Sequence, residues 1–133
     1  MLTQFSDGDR KETYLALVVD DDPTQQLIIS KLLKKIGLNV IVASDGIEAL
    51  EKVRSRCPAL VILDIIMPRM NGYEVCRRLK VNNKTYNPTV VMYSGQEKEF
   101  DFSIRSKSCA DAYVSKLCRP QELINIVKQL LQR

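Results

Sequence analysis

Histidine and tryptophan are absent from this chain. Without an imidazole there can be no Ser-His or Cys-His nucleophile pair, and the commonest transition-metal ligand is missing. Four cysteines occur, Cys57, Cys76, Cys109 and Cys118, but none stands in a C-x-x-C pair. A zinc site is therefore not expected, and the thiols read as free, buried or incidental side chains. No apolar run approaches the roughly 20 residues that span a bilayer. The opening segment MLTQFSDGDRKE has no apolar stretch of the signal-peptide kind. Both absences point to the cytoplasm. Nor is there a block of one charge: 20 basic and 16 acidic residues are interspersed, for a net charge of +4. Lys34-Lys35 and Arg77-Arg78 read as solvated helix faces. Neither direct nucleic-acid binding nor membrane association is expected.

What is present fits one domain. The 133 residues can bury a core without disulfides or metals. Residues 1–12 are polar and aperiodic and read as a mobile tail; residues 13–133 read as the domain. Within it, apolar runs alternate with amphipathic stretches. Leu15–Val19 is a continuous apolar run, as expected of a strand buried on both faces. Asp22-Pro23-x-Gln25 then offers a helix N-cap, a first-turn proline and a capping-box glutamine. The following helix should present Leu27, Ile28, Leu32, Leu33 and Ile36 on one side and stop at Gly37. Asn39–Ala43 reads as a second strand. Asp45-Gly46-Ile47-Glu48 opens a second helix with another capping box, and Pro58 lies beyond its end. Leu60–Leu63 is a third strand, and Asn71-x-x-Glu74 caps a helix running to about Val81. Thr89–Tyr93 is a fourth strand, residues 97–108 a less regular fourth helix, Ala112–Val114 a fifth strand, and Pro120 starts the last helix, with Leu123, Ile124, Val127 and Leu130. Five such β-α units predict an α/β fold: a single doubly wound, five-stranded parallel sheet, flavodoxin-like (βα)5, in strand order 2-1-3-4-5.

In sheets of this kind, functional groups gather at the carboxyl ends of the strands. Here those ends carry Asp20-Asp21-Asp22, Asp64, Ser94 and Lys116. Strands one and three are neighbours in the expected order, about 4.8 Å apart, so Asp20, Asp21 and Asp64 should crowd together. Three ionised carboxylates that close repel unless a cation intervenes. An oxygen-only donor set favours Mg²⁺ over zinc or copper. Lys116, two strands from Asp64, spans roughly 10 Å of backbone separation with a long side chain, and Ser94 offers a hydroxyl. A carboxylate, a metal, an ammonium and a hydroxyl suit phosphoryl transfer, because each can meet one region of charge on the transferred group. An aspartate nucleophile yields an acyl phosphate. Each residue also has a plainer role open to it. Asp22 reads first as a helix cap, Ser94 alone could be a turn residue, and Lys116 alone a surface lysine; only their agreement carries weight.

Four segments resemble the receiver domain of bacterial two-component response regulators. They are Leu17–Pro23, Leu63-Asp-Ile-Ile-Met-Pro-Arg-Met-Asn-Gly72, Val91–Gly95 and Asp111–Lys116, and the resemblance extends over about residues 14–132. It implies that Asp64 accepts the phosphoryl group, that Asp21 ligates Mg²⁺ directly and Asp20 mostly through water, and that the backbone carbonyl of Ile66 is the remaining protein ligand. It further implies Ser94 as the switch hydroxyl, Lys116 as the phosphoryl-pairing lysine, and Tyr113 as the aromatic switch. Pro68 and Gly72 match the loop after the phosphorylation site. The implied phosphodonor is a sensor histidine kinase or phosphotransfer protein. The implied readout is a downstream partner or output domain on the surface of the fourth helix, fifth strand and fifth helix, with homodimerisation on phosphorylation as an option. On this view the chain is a signalling module rather than an enzyme acting on external substrates.

Three departures from the family stand out. Leu117 follows Lys116 where the family usually has a proline in a cis peptide; a cis non-proline bond costs about 2.5–4 kcal/mol, so a trans bond is expected. Phe102 falls off the stripe formed by Phe100 and Ile104. Cys109 stands where glycine is usual. Two other functions are kept open. Asp20-x-Asp22-x-Thr24 fits the D-x-D-x-T pattern of haloacid-dehalogenase-like phosphatases, and a pseudo-receiver would use the same fold as a binding module that is never phosphorylated.

Overall fold

The structure is a computed structural model and describes residues 14–81, 86–95 and 110–132. Its elements run β1 (Leu15–Val19), α1 (Pro23–Lys35), β2 (Asn39–Ala43), α2 (Gly46–Arg56), β3 (Leu60–Asp64), α3 (Gly72–Val81), β4 (Thr89–Ser94), β5 (Ala112–Ser115) and α4 (Pro120–Leu131). The expected helix over residues 97–108, with Phe100, Phe102 and Ile104, lies outside the described residues, as do Cys109 and the segment 1–12. No described helix is long and apolar enough to cross a membrane.

The five strands form one sheet in the order β2-β1-β3-β4-β5, all parallel. Strand alternation splits the core in two. Leu17, Val19, Val61, Leu63, Val90 and Met92 meet Ala49 and Val53 of α2 and Val75, Cys76 and Leu79 of α3 on one face. On the other, Ala16, Val18, Leu60, Ile62, Val91 and Val114 meet Ile29 and Leu33 of α1 and Leu123 and Val127 of α4. Burial on both faces explains why β1, β3 and β4 read as unbroken apolar runs. Each fully buried leucine or isoleucine contributes roughly 1.5–3 kcal/mol, so the two layers hold the sheet ends in place.

Helix starts follow the caps with adjustments. The Asp22 side chain accepts from the Thr24 N–H at 2.9 Å, and Pro23 fills the first helical position. The reaching side chain of this first turn is Gln26 rather than Gln25. Asp45 caps the Glu48 N–H at 2.8 Å, while the Glu48 carboxylate returns to the N–H of Ser44, one residue before the cap. Asn71 caps the Glu74 N–H at 3.0 Å. Lys34, Lys35, Arg77 and Arg78 are exposed; both arginines pair with Glu74.

The expected apolar face of α1 is only partly correct. Ile29, Ser30 and Leu33 are buried, whereas Leu27 and Ile28 are 56% and 45% exposed. At about 100° per residue, Leu27 stands about 200° around the helix from Ile29. A stripe centred on Ile29 and Leu33 therefore turns Leu27 to solvent.

Candidate functional site

The site lies along the carboxyl edge of the sheet, at its centre. Asp20 follows β1, Asp64 ends β3, Ser94 ends β4 and Lys116 follows β5. Register places Asp64 beside Tyr93, and Ser94 beside Ser115. One more ladder bond, from the Lys116 N–H to the Ser94 carbonyl, carries β5 up to the lysine.

Asp20, Asp21 and Asp64 each offer a carboxylate oxygen within 4.8 Å of the other two. Asp20 and Asp64 are buried; Asp21 is exposed. Asp20 is held by both oxygens: Oδ1 accepts the Asp22 N–H at 2.9 Å, and Oδ2 accepts from Lys116 Nζ at 3.0 Å. The same ammonium lies 3.5 Å from Asp64 Oδ2 and 5.8 Å from the centre of the Tyr93 ring.

These contacts set the electrostatics. Burial, and then the neighbouring Asp20 charge, push the Asp64 carboxyl from its ordinary 3.8 up to about 6; Lys116 and a hydrogen bond from the Ile66 backbone oppose them without prevailing. For Lys116, burial favours the neutral amine, but the Asp20 hydrogen bond and the Asp64 charge outweigh it, and its pKa is raised. Burial likewise raises the Tyr93 phenol. The result is a buried carboxylate that is costly to ionise, beside a lysine that stays charged.

The loop after β3 is shaped for close approach. The Gly72 N–H bonds the Ile65 carbonyl at 2.8 Å. A Cβ on Gly72 would overlap the Asp64 carbonyl oxygen and sit 2.9 Å from Ile65 Cα. Arg69 takes a left-handed backbone, φ 71°, and its guanidinium pairs with Asp45 at 2.9 Å. Ile66, three residues before Arg69, is exposed. Ser94 is fully buried. Tyr113 is half-buried against the α2–α3 side of the core. Leu117, 81% exposed, follows Lys116 through a trans peptide. Ser115 turns this loop without proline: its hydroxyl accepts from the Leu117 N–H at 2.9 Å and its carbonyl from Cys118 at 3.0 Å.

The family model of the response regulator receiver domain matches residues 16–128. The chain belongs to that family. Among curated relatives of this receiver domain, Protein PilG of Pseudomonas aeruginosa is 34% identical over 127 residues, 96% of this chain and 90% of PilG. The alkaline phosphatase synthesis transcriptional regulatory protein PhoP of Bacillus subtilis is 35% identical over 117 residues, 88% of this chain. The receiver domain spans only 48% of PhoP and 50% of the DNA-binding response regulator MtrA of Mycolicibacterium smegmatis, about half the length of such relatives. A solved signal receiver domain of a response regulator from Bermanella marisrubri superposes with a TM-score of 0.80 at 29% identity, covering 91% of this chain and all of that one.

The strand-end residues expected from the sequence therefore do converge: Asp20, Asp21, Asp64 and Lys116 form one cluster, with Ser94 on the adjoining strand. Pro68 lies in the adjoining loop and Gly72 at the start of α3. Sequence reasoning missed Gln26, which binds the backbone of this cluster, and the Arg69–Asp45 pair. A glutamine in a first helical turn has no periodic signature, and Arg69 and Asp45 are 24 residues apart.

Proposed function

We propose that this receiver domain is a phosphorylation switch in which Asp64 accepts a phosphoryl group from a sensor histidine kinase or phosphotransfer protein. One observation carries the reading. A buried carboxylate at the centre of the sheet edge faces a charged lysine and lies within 4.8 Å of two further carboxylates. In the transfer, an ionised Asp64 oxygen attacks phosphorus, the donor P–N bond breaks, and the electron pair leaves with the imidazole. The product is an acyl phosphate.

The donor set fits Mg²⁺: three hard carboxylates with no imidazole or thiol among them. Asp20, Asp21, Asp64 and the backbone carbonyl of Ile66 would hold the ion, which would neutralise the carboxylates and polarise a phosphoryl oxygen. The chain's own groups do the rest. Lys116 reaches Asp64 across β4 and can pair with a phosphoryl oxygen there. Ser94, one strand away, supplies a hydroxyl donor. Burial keeps water from competing for these bonds.

Phosphorylation adds charge and acceptor oxygens. Ser94 is drawn toward them, Tyr113 moves into the vacated space, and the surface formed by residues 97–108, β5 and α4 changes. A downstream protein or output domain, or a second copy of the chain, reads that surface. This is a population shift biased by a local charge. PhoP is a transcriptional regulatory protein and MtrA a DNA-binding response regulator by name; in this chain residues 13–133 act as a switch in the cytoplasm without contacting nucleic acid themselves.

The test is acyl-phosphate labelling with acetyl phosphate and Mg²⁺. Label should be lost in Asp64→Asn and retained, at reduced rate, in Asp20→Asn. Loss only in Asp20→Asn would favour the D-x-D-x-T phosphatase reading, although both Asp20 oxygens are already engaged. No label and no Mg²⁺ binding would indicate a pseudo-receiver.

A further inference from the structure

Gln26 sits in the first turns of α1, half-buried, and its carboxamide nitrogen reaches three acceptors. The Asp20 carbonyl lies at 2.7 Å, the Ala43 carbonyl at 3.3 Å and the Ser44 hydroxyl at 3.3 Å. The first closes a short ring around the acidic turn. Asp20 donates its own N–H to the Ala43 carbonyl at 3.1 Å. Asp22 donates to the Asp20 carboxylate at 2.9 Å. The Gln26 N–H bonds the Asp22 carbonyl at 3.0 Å. Backbone and side chain of one residue thus grip both ends of the Asp20–Asp22 turn, and the side chain also ties that turn to the end of β2.

We propose that Gln26 is a positioning residue for divalent-cation binding, fixing the Asp20–Asp22 turn so that the Asp20 and Asp21 carboxylates face Asp64. The inference rests on the Mg²⁺ reading above. Carboxylate repulsion pushes the three acids apart; before a cation binds, the Lys116 ammonium, which pairs with Asp20 and Asp64, and backbone restraint hold them together. The Asp20 carbonyl also needs a donor, and the Ala43 carbonyl, which already accepts the Asp20 N–H, has a second lone pair to offer. A primary amide supplies two N–H groups with no charge, so it satisfies these carbonyls without competing with the cation. The contacts continue around the rim. Ser44 gives its N–H to Glu48, and Asp45 pairs with Arg69 in the loop after Asp64. The Asp20 turn and the Asp64 loop are therefore joined through the β2–α2 turn as well as through the sheet.

The test is calorimetric titration of the full chain with MgCl2 at neutral pH, comparing native protein, Gln26→Met, Gln26→Ala and Leu32→Ala. Methionine keeps the length and helix preference but removes the donor. Both Gln26 variants should weaken Mg²⁺ binding by about fivefold, the effect of one net hydrogen bond. Leu32→Ala, which trims a half-buried α1 residue away from the turn, should lower thermal stability and leave the Mg²⁺ affinity as in the native protein. The Asp22 amide resonance should also move in Gln26→Met without Mg²⁺. Native-like Mg²⁺ affinity in both folded Gln26 variants, with only a lower Tm, would overturn the proposal and leave Gln26 a structural tie. Absence of Mg²⁺ binding by the native protein would overturn the metal reading itself, and the role of Gln26 with it.

Discussion

The Lys116 ammonium hydrogen-bonds Asp20 at 3.0 Å, joining residues from opposite ends of the chain beneath the edge of the sheet. Both partners are largely buried. Lys116 therefore neutralises part of the acidic cluster while the same ammonium lies over the Tyr93 ring. Removing one partner of such a pair leaves a buried charge without compensation.

Lys116→Met should accordingly destabilise the metal-free protein at neutral pH, by on the order of 2–4 kcal/mol. Mg²⁺ should recover more stability in this variant than in the native protein, since the carboxylates have lost their other counter-charge. Thermal melts in EDTA and in MgCl2 check both expectations; an equal Mg²⁺ response in the two proteins would contradict the second.

Asp64 makes stability pH-dependent. Its carboxyl titrates at about 6 in the fold against an ordinary 3.8, so the folded state holds the proton more tightly than the unfolded state. The stabilisation from the protonated form is complete below about pH 4 and is lost as pH rises through 6. Asp64→Asn, which cannot ionise, should be more stable than native metal-free protein at pH 7, by on the order of 2–3 kcal/mol, and melt at a higher temperature. The gap should close by pH 4. A pH-independent difference between the two melting curves would exclude ionisation as the cause.

Gly72 tests the packing of α3 on the end of β3. Its missing side chain leaves room for the Asp64 carbonyl, and a Cβ there meets backbone rather than a side chain able to move. Gly72→Ala should cost about 3 kcal/mol and disturb Asp64. Urea denaturation measures the cost; a change below about 0.5 kcal/mol would show that the loop can shift freely.

Ser30 supplies a test with the opposite sign. Its hydroxyl is buried in α1 with no hydrogen-bond partner among the described residues. Ser30→Ala removes an unsatisfied polar atom and improves helix preference, so it should raise stability by about 1 kcal/mol. A clear loss of stability would reveal a bound water at that hydroxyl.

The local grammar of the chain was legible without coordinates. Continuous apolar runs mark β1, β3 and β4 because parallel strands are buried on both faces. Asp22, Asp45 and Asn71 mark helix starts because their oxygens meet N–H groups two or three residues away. Alternation of strands with helices fixes a parallel sheet, and handedness limits its order, which places Asp20, Asp64, Ser94 and Lys116 along one edge. All of these are short-range or topological constraints.

Only the tertiary structure decided what depends on orientation and distance between elements. The periodic pattern put Leu27 and Ile28 on the inner face of α1; packing on the sheet centred that face on Ile29 and Leu33 instead. Gln26 gained its role from β2, which lies beside it only after the crossover. Lys116 chose Asp20 as its nearer partner, and burial, not sequence neighbours, raised the Asp64 carboxyl. Hydrogen bonds and charges act over a few ångströms in space, and sequence separation does not record that distance.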